Sequence, residues 1–165
     1  MLLVSVPVYI PTAMSNWQPA PSLPFKDMGQ QGGVWNGKLY TAGGFTGSSI
    51  THAVLEYLPA SGKWSQVSTV PTAAGVGSDD SGSAVLDGVL YIVGGIWSAP
   101  SGIRNVSTMV AWDIKSGSRG WSTKAPMLTP RRGFPVAADA ASGGTLYATG
   151  GINCRRDCCA PLPSV

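Results

Sequence analysis

Apolar residues in this chain come in short bursts cut by glycine, and one burst is written three times. The versions are Val34-Trp-Asn-Gly-Lys-Leu-Tyr-Thr-Ala-Gly-Gly44, Val85-Leu-Asp-Gly-Val-Leu-Tyr-Ile-Val-Gly-Gly95 and Ser142-Gly-Gly-Thr-Leu-Tyr-Ala-Thr-Gly-Gly151. Asn36-Gly37 and Asp87-Gly88 stand between two apolar runs, which is the signal of a hairpin whose turn residues take positive φ. The pattern therefore predicts a first strand around Ser83–Leu86 and a second at Val89–Val93, ending in the Gly-Gly pair. Polar loops follow, at Thr46–Ser49 and Ser98–Gly102, and then a third strand at Ala53–Leu58 or Ser107–Ile114. Turns at Ser61-Gly62 and Ser116-Gly117 lead into a short fourth strand beginning at Trp64 or Trp121. No stretch longer than a few residues carries the helical period.

The tyrosines at the centre of the three bursts, Tyr40, Tyr91 and Tyr147, are 91 − 40 = 51 and 147 − 91 = 56 residues apart. A period of this size marks a repeat architecture. Four antiparallel strands per repeat predict an all-β fold of radially arranged sheets, a β-propeller. A second phrase recurs between the bursts: Tyr9-Ile-Pro11 with Trp17, Tyr57-Leu-Pro59 with Trp64, and Trp112-Asp-Ile114 with Trp121. Such aromatic plates each bury about 150–250 Å² and suit the packing of one sheet on the next.

Composition narrows the function. Of 165 residues, 22 are glycine and 13 proline, 44% are hydrophobic and only 12% charged, a balance of strands and turns and not of disorder. The net charge of +3 is spread along the chain except at Arg131-Arg132 and Arg155-Arg156, so nucleic acid is not an expected partner. The apolar run Leu2–Ile10 falls far short of the roughly 20 residues that span a bilayer, so no membrane is expected. It also lacks a basic leader, which favours a cytoplasmic over a secreted chain and leaves the compartment open. Cys154, Cys158 and Cys159 crowd into an irregular tail and make no disulfide framework. With His52 as the lone histidine, no metal and no cofactor are expected.

Taken together, these marks resemble the kelch-repeat family. They are the strands ending in Gly43-Gly44, Gly94-Gly95 and Gly150-Gly151, the tyrosine three residues before each pair, the aromatic pairs Tyr57/Trp64 and Trp112/Trp121, and Pro130-Arg131 at the opening of a unit. Departures are Trp112 in place of the usual tyrosine, the extra Gly/Ser/Asp stretch at Gly75–Gly82, and no arginine opening the first two full units. The resemblance implies a kelch-type β-propeller segment with an incomplete ring. Residues 1–24 would be the last two strands of a blade, 25–71 and 72–126 whole blades, 127–152 the first half of another, and 153–165 the irregular cysteine tail. Three blade equivalents do not close a propeller, which typically has four to eight. A longer chain, or a homodimer joining half blade to half blade, would complete it.

Kelch relatives include a copper-radical oxidase and a sialic-acid epimerase. The oxidase site needs several histidines and tyrosines with a cysteine crosslinked to one tyrosine, and the repeats here hold no cysteine. A sugar-acting enzyme of the epimerase kind, the alternative function, would need an arginine with a carboxylate or histidine in the central channel. Its candidates are Asp79, Asp80, Asp139, Glu56, His52, Arg104 and Arg131, with Asp79 and Asp80 read as solvated turn residues. No spacing identifies a catalytic set. The favoured function is a protein-protein interaction scaffold that binds an unidentified protein through the loops after each Gly-Gly pair. Those loops offer Phe45, Thr46, Ile96, Trp97, Ile103 and Arg104, with Arg131 and Arg132 on the connection between blades. Trp97 is the sharpest single candidate, since aromatic and arginine side chains anchor most protein interfaces.

Overall fold

A computed structural model describes residues 19–73, 75–99, 102–117, 120–141, 143–155 and 158–162, so the phrase Tyr9–Trp17 lies outside the described residues. Within them the fold is all-β. The first sheet is β1 (Gln31–Trp35), β2 (Lys38–Ala42), β3 (Ala53–Leu58) and β4 (Lys63–Thr69), antiparallel and in sequence order. The second is built from β5 (Gly82–Leu86), β6 (Val89–Val93), β9 (Met109–Asp113) and β10 (Trp121–Lys124). Between β6 and β9 the chain makes a separate hairpin of β7 (Ile96–Ala99) and β8 (Gly102–Asn105). A third unit contributes β11 (Val136–Asp139) and β12 (Thr145–Ala148), followed by a hairpin of β13 (Ile152–Arg155) and β14 (Cys158–Pro161).

The turns form as their residues dictate. Asn36 and Gly37 have φ of 48° and 74°, Asp87 and Gly88 49° and 79°, so both residues of each turn are left-handed and the hairpins close without splaying. First strands of successive units lie side by side, with β5 next to both β1 and β11. Ser83 fastens two of them: its hydroxyl donates to Gly32 O (2.9 Å) and accepts from Gly32 N (2.8 Å).

The core sits between the first two sheets. Tyr40, Ala42 and Val54 of one cluster with Leu90, Ile92, Val110 and Trp112 of the other, joined by Val70 and Val76 of the segment between β4 and β5, and Leu90 and Val54 are fully enclosed. Tyr40 meets Trp112 edge-on across this gap, ring centroids 6.0 Å apart, which is a favoured geometry for two quadrupoles. Its hydroxyl donates to Glu56 Oε2 (2.8 Å), which also receives Lys38 Nζ (3.1 Å). Tyr57 and Trp64 are direct cross-strand partners, as are Trp112 and Trp121, so the recurrent aromatic phrase is one cross-strand pair per sheet. Trp121 then reaches back to the first sheet through Nε1 to Ser68 Oγ (3.2 Å).

Two sequence expectations are corrected. The segment after Gly94-Gly95 is a hairpin and not a polar loop, because Ile96 is buried and Ile96–Ala99 finds strand partners in Gly102–Asn105. The described residues of the cysteine tail likewise pair as strands: Cys154 faces Cys159 in the β13–β14 register, and the two form a disulfide. The two hairpins are the same device. Val106 N donates to Gly95 O (3.0 Å) and Leu162 N to Gly151 O (2.8 Å), each eleven residues past the second glycine of its pair.

Candidate binding site at the glycine-glycine ends

All three Gly-Gly pairs stand where backbone from a neighbouring segment passes too closely for a side chain. A Cβ on Gly43 would strike Ser78 O, and one on Gly94 would come within 2.7 Å of Arg131 O. In the first two pairs the second glycine uses this proximity, Gly44 N donating to Ser78 O (2.6 Å) and Gly95 N to Arg131 O (2.8 Å). These two pairs thus tie their units to the lead-in of the next. In the third unit Arg131 Nη1 donates to Gly150 O (2.7 Å).

Lead-in residues then pair with the residue after the glycines. Met28 bridges to Phe45, Asp79 to Ile96 and Arg132 to Ile152, so Met28, Asp79 and Arg132 hold equivalent places in three successive units. The residues that follow them, Gly29, Asp80 and Gly133, all have left-handed backbones, with φ of 66°, 51° and 61°. Main-chain bonds run from unit to unit through these positions: Asp80 N donates to Gly29 O (3.1 Å) and Gly133 N to Asp80 O (2.8 Å). Aspartate tolerates this region better than most residues, but only glycine adopts it freely.

Around this spine opens a crevice of about 450 Å³. Met28, Gly29, Asp79, Asp80 and Arg132 line it from the lead-ins, Phe45, Ser48, Ser49 and Ile50 from the first Gly-Gly loop, and Ile96, Ser98 and Ile103 from the β7–β8 hairpin. Its apolar rim is open to solvent, Met28 being 61% and Ile103 70% exposed. Its floor is charged: Arg132 Nη1 lies 3.8 Å from Asp80 Oδ2. Burial, then the neighbouring Asp80 carboxylate, push the Asp79 carboxyl above its usual range despite the opposing pull of Arg132. Burial also raises Asp27, whose carboxylate fills the space a Cβ on Gly44 would need. Asp79 and Asp80 are therefore half-buried crevice groups and not the solvated turn residues their glycine-rich surroundings predict.

The structure gathers Phe45, Ile103 and Arg132 into one place and sends the other candidates elsewhere. Thr46 staples its own loop, its hydroxyl accepting from Ser49 N (3.3 Å). Trp97 lies in a smaller hollow of about 100 Å³ beside His52, Val76 and Thr72. Arg104 is exposed on β8 opposite Trp97. Arg131 is corrected outright: only 4% exposed, beside the Phe134 ring and bound to Gly150, it is an internal latch and offers no surface to a partner.

Other acid/base candidates have structural partners. Glu56 receives Tyr40 and Lys38, Asp139 Oδ1 accepts from Ala141 N (2.8 Å), and His52 Nδ1 meets the Ser78 hydroxyl at 2.8 Å in surroundings that lower its pKa by burial. Among the described residues no three His, Cys, Asp or Glu side chains converge as a metal site would require. Met28 was invisible to sequence reasoning as a site residue. Its signal is its place three residues before a first strand, matched by Asp79 three before β5.

Comparison with known proteins agrees with the fold. A family model described as the Kelch motif matches residues 32–71. The chain is 37% identical over 116 residues to an F-box/kelch-repeat protein of Arabidopsis thaliana, which takes in 67% of this chain and 26% of that protein. It also resembles the solved structure of YjhT, with a TM-score of 0.64 and 24% identity over 81% of this chain and 37% of that one. The chain thus spans about a quarter of the curated relative and little more than a third of the solved one.

Proposed function

The chain belongs to the kelch-repeat family, and from that premise we propose that it is part of a protein-interaction scaffold whose docking site is the crevice at the Gly-Gly ends. One observation carries this reading. Equivalent positions of three successive units hold Met28, Asp79 and Arg132, three different chemistries converging on one opening, above a main-chain spine that repeats. A repeated frame with unlike side chains is how a rigid scaffold presents specificity. Exposed Ile103 and Met28 supply apolar contact, and the Asp79, Asp80 and Arg132 charges supply orientation.

The test is affinity capture from a lysate of the source cells, with Ile103→Ser combined with Arg132→Gln, checked for folding by circular dichroism. The double variant is expected to lose the partners that the native chain retains. Retention of every partner would remove the crevice from consideration.

A second reading is favoured by one specific feature, Arg132 lying 3.8 Å from Asp80 with Asp79 beside them, its carboxyl pushed above its usual range by burial. That is the arginine and carboxylate set which a sugar-acting kelch enzyme would need. It predicts binding of acidic sugars by calorimetry, lost in Arg132→Gln and unaffected by Ile103→Ser.

A further inference from the structure

The β13–β14 hairpin carries a bond that its fold does not require. Its twin, β7–β8, has Ser98 facing Ile103 at the places where Cys154 faces Cys159, and the same closing bond to the second glycine holds both. Ordinary strand pairing therefore suffices for this element. The disulfide also sits in an asymmetric setting. Cys159 is exposed, whereas Cys154 is half-buried with Arg132 Nη2 donating to its Sγ at 3.6 Å. The same guanidinium reaches Asp80 through Nη1 at 3.8 Å, and its buried Nε has no partner among the described residues. Arg132 backbone N and O both bond Ile152, so the hairpin and the crevice floor share this one residue.

We propose that Cys154–Cys159 is a thiol-exchange site with a fixed direction, in which a dithiol reductant attacks Cys159, Cys154 leaves as a thiolate against Arg132, and Arg132 is drawn off Asp80. In the first step a thiolate of the reductant forms a bond to Cys159 Sγ while the protein disulfide breaks, its electron pair passing to Cys154 Sγ. The second thiol of the reductant then attacks its own sulfur in the mixed disulfide, closing a cyclic disulfide and expelling Cys159, which takes up a proton. Two electrons have passed from dithiol to cystine.

Direction follows from access and leaving-group chemistry. The exposed sulfur is the one a reductant can reach, and a thiolate beside a guanidinium is the better leaving group because its pKa is lowered. The new anion competes with Asp80 for Arg132, leaving Asp79 and Asp80 facing each other with less compensation. The crevice becomes more negative at its floor, and its preference shifts toward basic partner segments. Only this last step rests on the crevice being the binding site.

Two measurements on the full oxidised chain, in a Cys158→Ser background that leaves two cysteines, test the exchange. Brief reaction with glutathione, acid quench and peptide mapping locate the mixed disulfide, expected on Cys159. Reduction by dithiothreitol is expected to be several-fold slower in Arg132→Gln and near the native rate in Arg132→Lys. An adduct on Cys154, or equal rates in all three proteins, would overturn the proposal. Hydrogen exchange then reads the coupling without any partner: on reduction, amides at 79–80 and 132–133 are expected to lose protection along with those of the hairpin. Changes confined to 152–162 would sever the link to the crevice while leaving the exchange chemistry intact. Failure of the lysate capture would instead count against the crevice as a docking site.

Discussion

Asp80 carries the clearest residue-scale consequence. It holds a left-handed backbone where the other two units place Gly29 and Gly133. The strain of a side chain there is about 1–2 kcal/mol, set against about 0.5–1 kcal/mol of extra chain entropy for glycine. Asp80→Gly is expected to stabilise the fold by at most about 1 kcal/mol, read as a shift of the urea midpoint, while weakening partner capture. The reverse change, Gly29→Asp, is expected to destabilise it, since Asp79 Oδ1 already occupies the space a Cβ would fill. A second prediction concerns pH. Burial lowers the folded-state pKa of His52, so its contribution is present above the unfolded value near 6.5 and is lost as pH falls through the folded value. Asp27 and Asp79 are raised, so their contributions run the other way, greatest below the model-peptide carboxylate range and lost as pH rises. The native chain is expected to lose melting temperature between about pH 7 and 5, and His52→Gln, which keeps a partner for Ser78, is expected to flatten that fall.

At the scale of elements, the four-stranded sheets were readable because each local signal agreed with the next. Asn36-Gly37 and Asp87-Gly88 fixed the hairpins, and Val89–Val93 and Ala53–Leu58 came out with the bounds their apolar runs predict. The two outer hairpins were not readable. Ile96–Asn105 holds Pro100 and Gly102 in a polar setting, and Ile152–Pro161 holds two arginines and three cysteines, so neither shows the alternation of a half-buried strand. What orders them is the second glycine of each pair, whose carbonyl receives an amide eleven residues on. The crevice was half legible for a related reason. Phe45, Ile103 and Arg132 carry apolar or charged chemistry on predicted loops, but the role of Met28 and the burial of Arg131 depend on contacts between units that no local pattern encodes. Hairpin equivalence makes its own prediction: Ser98→Cys with Ile103→Cys should oxidise to a disulfide matching Cys154–Cys159. Loss of two free thiols by mass, with unchanged circular dichroism, would show it; persistent thiols under oxidising conditions would mean that the two hairpins differ in register.

For the molecule as a whole, the packing rule is visible once and its continuation is open. Tyr40 of the first sheet is covered by Trp112 of the second, whereas Tyr147, at the equivalent place in the third unit, is 46% exposed. Val34, on the outer side of β1, is 64% exposed. We propose that these faces receive further blades, supplied by a longer chain or by a second copy of this one. Light scattering separates the two: a dimer that falls apart on Tyr147→Asp would support the paired ring, and a folded monomer would leave the longer chain as the source of the missing blades.

The bonds from Gly29 O to Asp80 N and from Asp80 O to Gly133 N pass through main chain alone, so the backbone frame draws none of these bonds from the side chains at Met28, Asp79 and Arg132. Those three sites are in effect interchangeable cassettes. A library randomising them, with the neighbouring glycines left untouched, would let this scaffold be reprogrammed toward new partners without redesigning its backbone.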